Sequence, residues 1–130
     1  MRGPGAVERF THIPGTQIVA LCDYEQGRAE ACQKYLKQAS LPKAAVYSGE
    51  KGYEELCKRD DIDLVYIATD WLHHFPVAMC AMENGKNVAI EVPSAMNLKE
   101  CWALVDMSGE LLLRLVRDEY AEYGAAGRIR

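Results

Sequence analysis

Short apolar runs rich in β-branched residues alternate with helix-length segments along this chain, and that alternation limits its fold more than any other feature. The runs are TQIVALC (Thr16 to Cys22), AVY (Ala45 to Tyr47), LVYIAT (Leu64 to Thr69) and NVAIEV (Asn87 to Val92). They are continuously apolar rather than alternating, which suits strands buried on both faces, as in a parallel sheet with crossover helices. The spacing predicts helices from Arg2 to about Ile13, Glu25 to Gln38, Tyr53 to Arg59 and Leu72 to Glu83, with a last one after Asn97. Pro4 suits a first helical turn, Pro14-Gly15 ends the first helix, and Asn84-Gly85 is a C-terminal cap. Asn97 with Glu100 three residues on forms a box-like N-terminal cap. Ala29, Cys32, Tyr35 and Leu36 fall at core spacing, as do Cys101, Trp102, Leu104 and Val105. Ser108-Gly109 predicts an interruption, which divides the chain into an α/β unit over 1–106 and a divergent helical tail over 107–130.

Composition narrows the function classes. A length of 130 residues suits one domain, and 49% hydrophobic residues are enough to build a core. Net charge is -4 with Lys and Arg intermixed among acids, so the basic stripe of a nucleic-acid binder is absent. No apolar run approaches the ~18 residues of a membrane span, and the compartment is left open. Five cysteines, Cys22, Cys32, Cys57, Cys80 and Cys101, form no C-x-x-C pair and read as buried, reduced thiols rather than disulfides or zinc ligands.

The chemistry concentrates at strand ends. A dinucleotide-binding unit needs a glycine-rich turn into a helix N-terminus, whose dipole and free N–H groups hold a pyrophosphate, and an acid ~20 residues on for the ribose hydroxyls. Gly3 and Asp23 are 20 positions apart (23 − 3), with a helix and then a strand between them. Met1, Arg2 and Gly3 stand where the last three residues of G-x-G-x-x-G would fall. Asp23 is equally an ordinary turn residue after a strand, and Gly3 with Gly5 equally a flexible start. Thr69-Asp70-Trp71-Leu72-His73-His74 forms a second cluster, either an edge facing a cofactor or a plain helix start. Adjacent His73 and His74 cannot share one face of a helix, so no metal site is expected. Glu91-Val92-Pro93-Ser94 forms a third cluster, where Pro93 either aims the strand end into the crevice or simply terminates the strand.

These segments resemble the N-terminal domain of the Gfo/Idh/MocA oxidoreductase superfamily. The marks are IVALCDY, GYEELCKRDDIDLVYIAT, HHFPVAMCAMENGKNVAIEVP and a helix with Cys101-Trp102, covering roughly Met1 to Asp106. Most members carry Glu-Lys-Pro where this chain has Glu91-Val92-Pro93, and that departure, with TDWLHHFP and EVPSAMNLKECW, resembles the glycoside hydrolase family 109 branch of NAD-dependent α-N-acetylgalactosaminidases.

The resemblance implies a Rossmann-like, doubly wound parallel sheet lacking its first, central strand. It implies NAD as cofactor, with Met1, Arg2 and Gly3 at the pyrophosphate, Asp23 at the ribose, Trp71, Leu72, His73 and His74 on the nicotinamide side, and Glu91 and Val92 beside them. Asp23 fits NAD over NADP, since a carboxylate repels a 2′-phosphate. It further implies hydrolysis of an N-acetylgalactosamine-type glycoside with retention: hydride leaves carbon 3 for NAD⁺, the carbon 2 proton and the glycosidic oxygen leave, water adds, and hydride returns. The catalytic residues would lie in a substrate domain absent here, so no catalytic residue is assigned to this chain. A sugar dehydrogenase and a non-catalytic dinucleotide-binding module are the alternatives. The chain is expected to be a fragment, marginally folded and weak or inactive alone.

Overall fold

The computed structural model describes the backbone of residues 2–125 and the side chains of residues 2–112. Helix α1 spans Gly3–Phe10. It is followed by β1 (Ala20–Asp23), α2 (Gln26–Ala31), α3 (Gln33–Gln38), β2 (Ala45–Ser48) and α4 (Gly52–Cys57). Then come β3 (Leu64–Ile67), α5 (Trp71–Glu83), β4 (Asn87–Ile90) and α6 (Leu98–Ala125). The order is the expected strand–helix alternation.

The strands form two separate parallel pairs. β1 pairs with β2 in the register Leu21 to Val46, and β3 with β4 in the register Val65 to Val88. β1 and β3 do not pair, so the sheet is interrupted where a doubly wound fold places its first strand. Helices nevertheless hold the pairs together. α4 packs on β1, β2 and α5, while α5 packs on β3, β4 and α6. On the opposite face Val7 of α1 joins the core around Leu21, Ala29 and Leu36, and Phe10 sets its ring edge-on to Tyr66 of β3 at 5.3 Å. The larger core lies between α4, α5, α6 and β3, around Cys57, Ile67, Val77 and Ala78.

Local chemistry explains where several elements start and stop. Asp70 caps α5 by accepting from the Leu72 and His73 N–H groups. Gly85, at φ +75°, turns the chain out of α5 in a conformation that side chains resist. Asn97 Oδ1 accepts from the Glu100 N–H at 3.0 Å, and Glu100 Oε2 reaches back to the Met96 N–H at 2.8 Å, which realises the predicted box. The Gln33 amide clamps α3 to β2, donating to the Ala44 carbonyl at 2.7 Å and accepting from its N–H at 3.1 Å.

Several expectations are corrected. The first helix closes at Phe10, with turns from Thr11 to Gly15, and the first strand begins only at Ala20. The single helix expected over Glu25 to Gln38 breaks at Cys32 into α2 and α3. The interruption at Ser108-Gly109 is bridged: α6 runs through both, because Leu104, Met107 and Leu111 keep one face on the core. That same face leaves Trp102 65% exposed, with Val105 and Cys101 also outside, so of the four predicted core residues only Leu104 packs inward. Cys22 is likewise exposed, Cys80 half-buried, and Cys32 and Cys57 buried; all five thiols are free. Burial, then the neighbouring Cys80, pushes the Cys57 thiol up to about 12, so it stays protonated.

Candidate functional site

The carboxyl ends of the strands, with the N-terminus of α1, bring the predicted groups to one edge of the fold. Among the described residues no side chain bonds the first N–H groups of α1, its first turn holds no acid, and space lies open over Gly3. An uncapped helix N-terminus with open room above it suits an anion. Arg2 stands at this end, and its Nη1 donates to Glu91 Oε2 at 2.9 Å. Tyr66 donates its hydroxyl to the other oxygen of Glu91. The Tyr66 hydroxyl, and then Arg2, hold the Glu91 carboxyl below the usual range, while Glu91 raises Tyr66. Glu91 thus ties the end of β4 to β3 and to the start of α1.

The turn after β3 is built around Asp70. Its Oδ1 accepts from the Leu72 N–H at 3.0 Å and the His73 N–H at 3.1 Å, and the His73 ring Nδ1 lies 2.8 Å from the same oxygen. The His73 ring, followed by these N–H groups, lowers the Asp70 carboxyl. Trp71 is 59% and Leu72 74% exposed beside them, and Val92 is 79% exposed just past β4. These three present free apolar surface.

His74 behaves differently from its neighbour. It is 2% exposed, with Nδ1 2.6 Å from the Pro93 carbonyl oxygen and Nε2 3.2 Å from that of Thr69. It lies beneath the turn and joins the loops after β3 and β4. Asp23 ends β1, where its Oδ1 accepts from the Glu25 N–H at 2.9 Å and its other oxygen has no partner among the described residues. It shares no hydrogen bond with the Arg2, Tyr66 and Glu91 group. Met1 lies outside the described residues.

Sequence reasoning missed Tyr66. It reads there as one more apolar strand residue, and no local signal pairs it with Glu91. Asp70 was read only as part of the strand-end cluster, although an acid just before a helix is the local signal of a cap. Among the described residues no group of three or more His, Cys, Asp or Glu is placed to hold a metal ion, and no helix is long and apolar enough to cross a membrane. A recess of about 450 Å³ lined by Gln17, Val19, Lys43, Arg59 and Asp61 lies at the amino ends of β1 and β2, away from these groups.

An α/β domain with an open helix N-terminus and an acid after its next strand defines a dinucleotide-binding protein. The model of the Gfo/Idh/MocA oxidoreductase family, NAD-binding Rossmann fold, matches residues 3–116, and the chain belongs to that family. Its cofactor is NAD. It is 83% identical over 108 residues to glycosyl hydrolase family 109 protein 5 of Phocaeicola vulgatus, a match covering 83% of this chain and 21% of that one. It is 67% identical over 109 residues to glycosyl hydrolase family 109 protein 1 of Bacteroides fragilis, covering 83% and 24%. The chain therefore spans about a quarter or less of the length of these curated relatives. Among solved structures it resembles myo-inositol dehydrogenase from Lactobacillus casei in complex with NAD(H) and myo-inositol, with TM-score 0.70 and 26% identity over 82% of this chain and 30% of that one.

Proposed function

We propose that this chain is the NAD-binding part of a retaining, NAD-dependent glycosidase acting on N-acetylgalactosamine-type glycosides. The observation that carries the reading is the site's edge at Glu91-Val92. Val92 projects 79% exposed where most members of the family place a lysine ammonium, and the relatives most like this chain bear the glycosyl hydrolase name. NAD would supply reversible hydride acceptance at the sugar, making the carbon 2 proton acidic enough to remove. The residues here bind and orient. The open N-terminus of α1 with Arg2 and Gly3 meets the pyrophosphate, the free oxygen of Asp23 meets the ribose, and Trp71, Leu72 and Val92 exclude water beside the nicotinamide. His73 stands at the rim, held by Asp70. His74 and Glu91 hold the loops that carry these groups. Proton transfer at the sugar belongs to residues outside this chain.

A chimera tests this. Residues 3–106 replace the matching segment of the Phocaeicola vulgatus relative, and an aryl α-N-acetylgalactosaminide is supplied. Release of the aryl group without net NADH supports the reading. NADH accumulating from free sugar without hydrolysis would instead make the chain part of a sugar dehydrogenase, which Val92 disfavours.

A further inference from the structure

Two arginines of α1 face one carboxylate. Arg2 Nη1 lies 2.9 Å from Glu91 Oε2, while the Tyr66 hydroxyl donates to the other oxygen of Glu91. Arg9 stands seven residues on from Arg2, two turns along the same side of the helix. Its side chain runs back across Gly5: a Cβ built on Gly5 would stand 3.4 Å from Arg9 Nη1. Phe10, the next residue, sets its ring edge-on to Tyr66 at 5.3 Å, which holds this turn of α1 over β3. Among the described residues Arg9 makes no ion pair, yet Glu91 and Tyr66 both feel its charge. Tyr66 first, then Arg2, then Arg9 hold the Glu91 carboxyl low, and Arg9 opposes the rise that Glu91 imposes on Tyr66.

The count of charges matters. Two guanidinium groups share one carboxylate, so one positive charge is left over. The Arg2 side chain is 74% exposed and that of Glu91 20%. An exposed pair of this kind is weak and parts easily. A pyrophosphate offers more negative charge and more acceptor oxygens than one carboxylate, and a guanidinium grips either with the same planar fork. Losing Arg2 would not strand Glu91, because Tyr66 keeps one oxygen and the Arg9 charge remains beside it.

We propose that Arg2 and Arg9 exchange on Glu91: when cofactor binds, Arg2 leaves for the pyrophosphate and Arg9 takes its place on the carboxylate. Arg9 is then a positioning residue, which touches no cofactor and acts through Glu91. Tyr66 anchors the carboxylate throughout, so the end of β4 stays tied to β3 while the cations trade partners. The inference rests on the placement of Arg2 at the pyrophosphate proposed above.

The test is equilibrium dialysis of the whole chain with ADP-ribose, which carries the pyrophosphate, and with adenosine, which does not. Arg2→Ala should weaken ADP-ribose and spare adenosine. Arg9→Ala should weaken ADP-ribose by roughly twofold to fivefold, the range of an exposed charge pair, because Arg2 is then kept on Glu91. Arg9→Lys should restore most of that loss. In a Glu91→Gln background, where no charge pins Arg2, Arg9→Ala should change ADP-ribose affinity by less than about twofold. Adenosine affinity, unchanged across the set, reports that each variant is folded. An equal loss from Arg9→Ala in both backgrounds would mean that Arg9 attracts the phosphates directly, and would overturn the exchange while leaving Arg2 at the pyrophosphate. Binding that depends on Arg2 and ignores Arg9 would do the same. ADP-ribose affinity indifferent to Arg2, or no ADP-ribose binding at all, would sink the exchange together with the placement of Arg2 on which it rests.

Discussion

Arg2 and Glu91, 89 positions apart, meet at 2.9 Å, and this ion pair joins the first helix to the end of the last strand. The far oxygen of Glu91 takes the Tyr66 hydroxyl. Three elements therefore converge on one carboxylate. Because Arg2 is largely exposed, the pair contributes less to stability than to placement. It fixes where a cation stands beside an open helix N-terminus.

Tyr66→Phe removes the largest influence lowering the Glu91 carboxyl. The sign follows directly: a depressed carboxylate contributes stability above its ordinary pKa, and that contribution is lost as pH falls through the lowered value. In the parent chain the linkage should survive acidification through the usual carboxylate range and fail below it. In Tyr66→Phe the Glu91 titration, followed by carboxyl carbon NMR, should move up. An unmoved titration would mean the hydroxyl does not engage Glu91.

Asp70→Ala leaves the Leu72 and His73 N–H groups unpaired at the start of α5. A lost cap of this kind costs about 1 kcal/mol. Asp70→Asn should recover most of it at neutral pH. Asp70 is also depressed, so the parent's advantage over Asp70→Ala should be complete at neutral pH and shrink as pH falls through its lowered value. Urea titrations across the acid range measure this directly.

His74 and His73 are adjacent, yet their replacements should differ sharply. His74→Ala removes the ring lying between the Thr69 and Pro93 carbonyls and empties a buried site, a loss of about 2–4 kcal/mol. His73→Ala removes a half-exposed partner of Asp70 and should cost less than about 1 kcal/mol. Comparable melting shifts for the two would contradict the buried clamp.

The alternation of strands and helices, the Asn97 cap and the Asn84-Gly85 stop were legible because each is a local rule written in neighbouring residues. The placement of α6 was not. Cys101, Trp102 and Val105 read as core residues, but the face that meets α5 is set by where α5 lies, and that selects Leu104, Met107 and Leu111. Helix α1 begins at Gly3, one residue past the expected start, and Asp23 stands at the end of β1, where its place after an apolar run puts it. The burial of His74 and the Tyr66–Glu91 contact depend on strand register and on the loop after β4, which no short window of sequence encodes. Ser108-Gly109 shows the reverse error, a local breaker overridden by tertiary packing.

That override implies a simple gain. Gly109 lies within α6, and a Cβ built there meets nothing within 4 Å. Gly109→Ala should raise stability by about 0.5–1 kcal/mol, since alanine restricts the unfolded chain and favours helix. A neutral or lowered melting temperature would indicate that this stretch of α6 is not helical in solution.

Asp23→Asn separates the two roles left open for Asp23. The asparagine side-chain oxygen can still accept from the Glu25 N–H, so the turn and the melting temperature should change little. The charge is gone, however. If Asp23 holds the ribose hydroxyls, NAD affinity measured by equilibrium dialysis should fall, and the disadvantage of NADP relative to NAD should narrow, because a 2′-phosphate no longer meets a carboxylate. Affinity for both cofactors unchanged, with the turn intact, would reduce Asp23 to a turn residue and move ribose recognition elsewhere on the β1 edge.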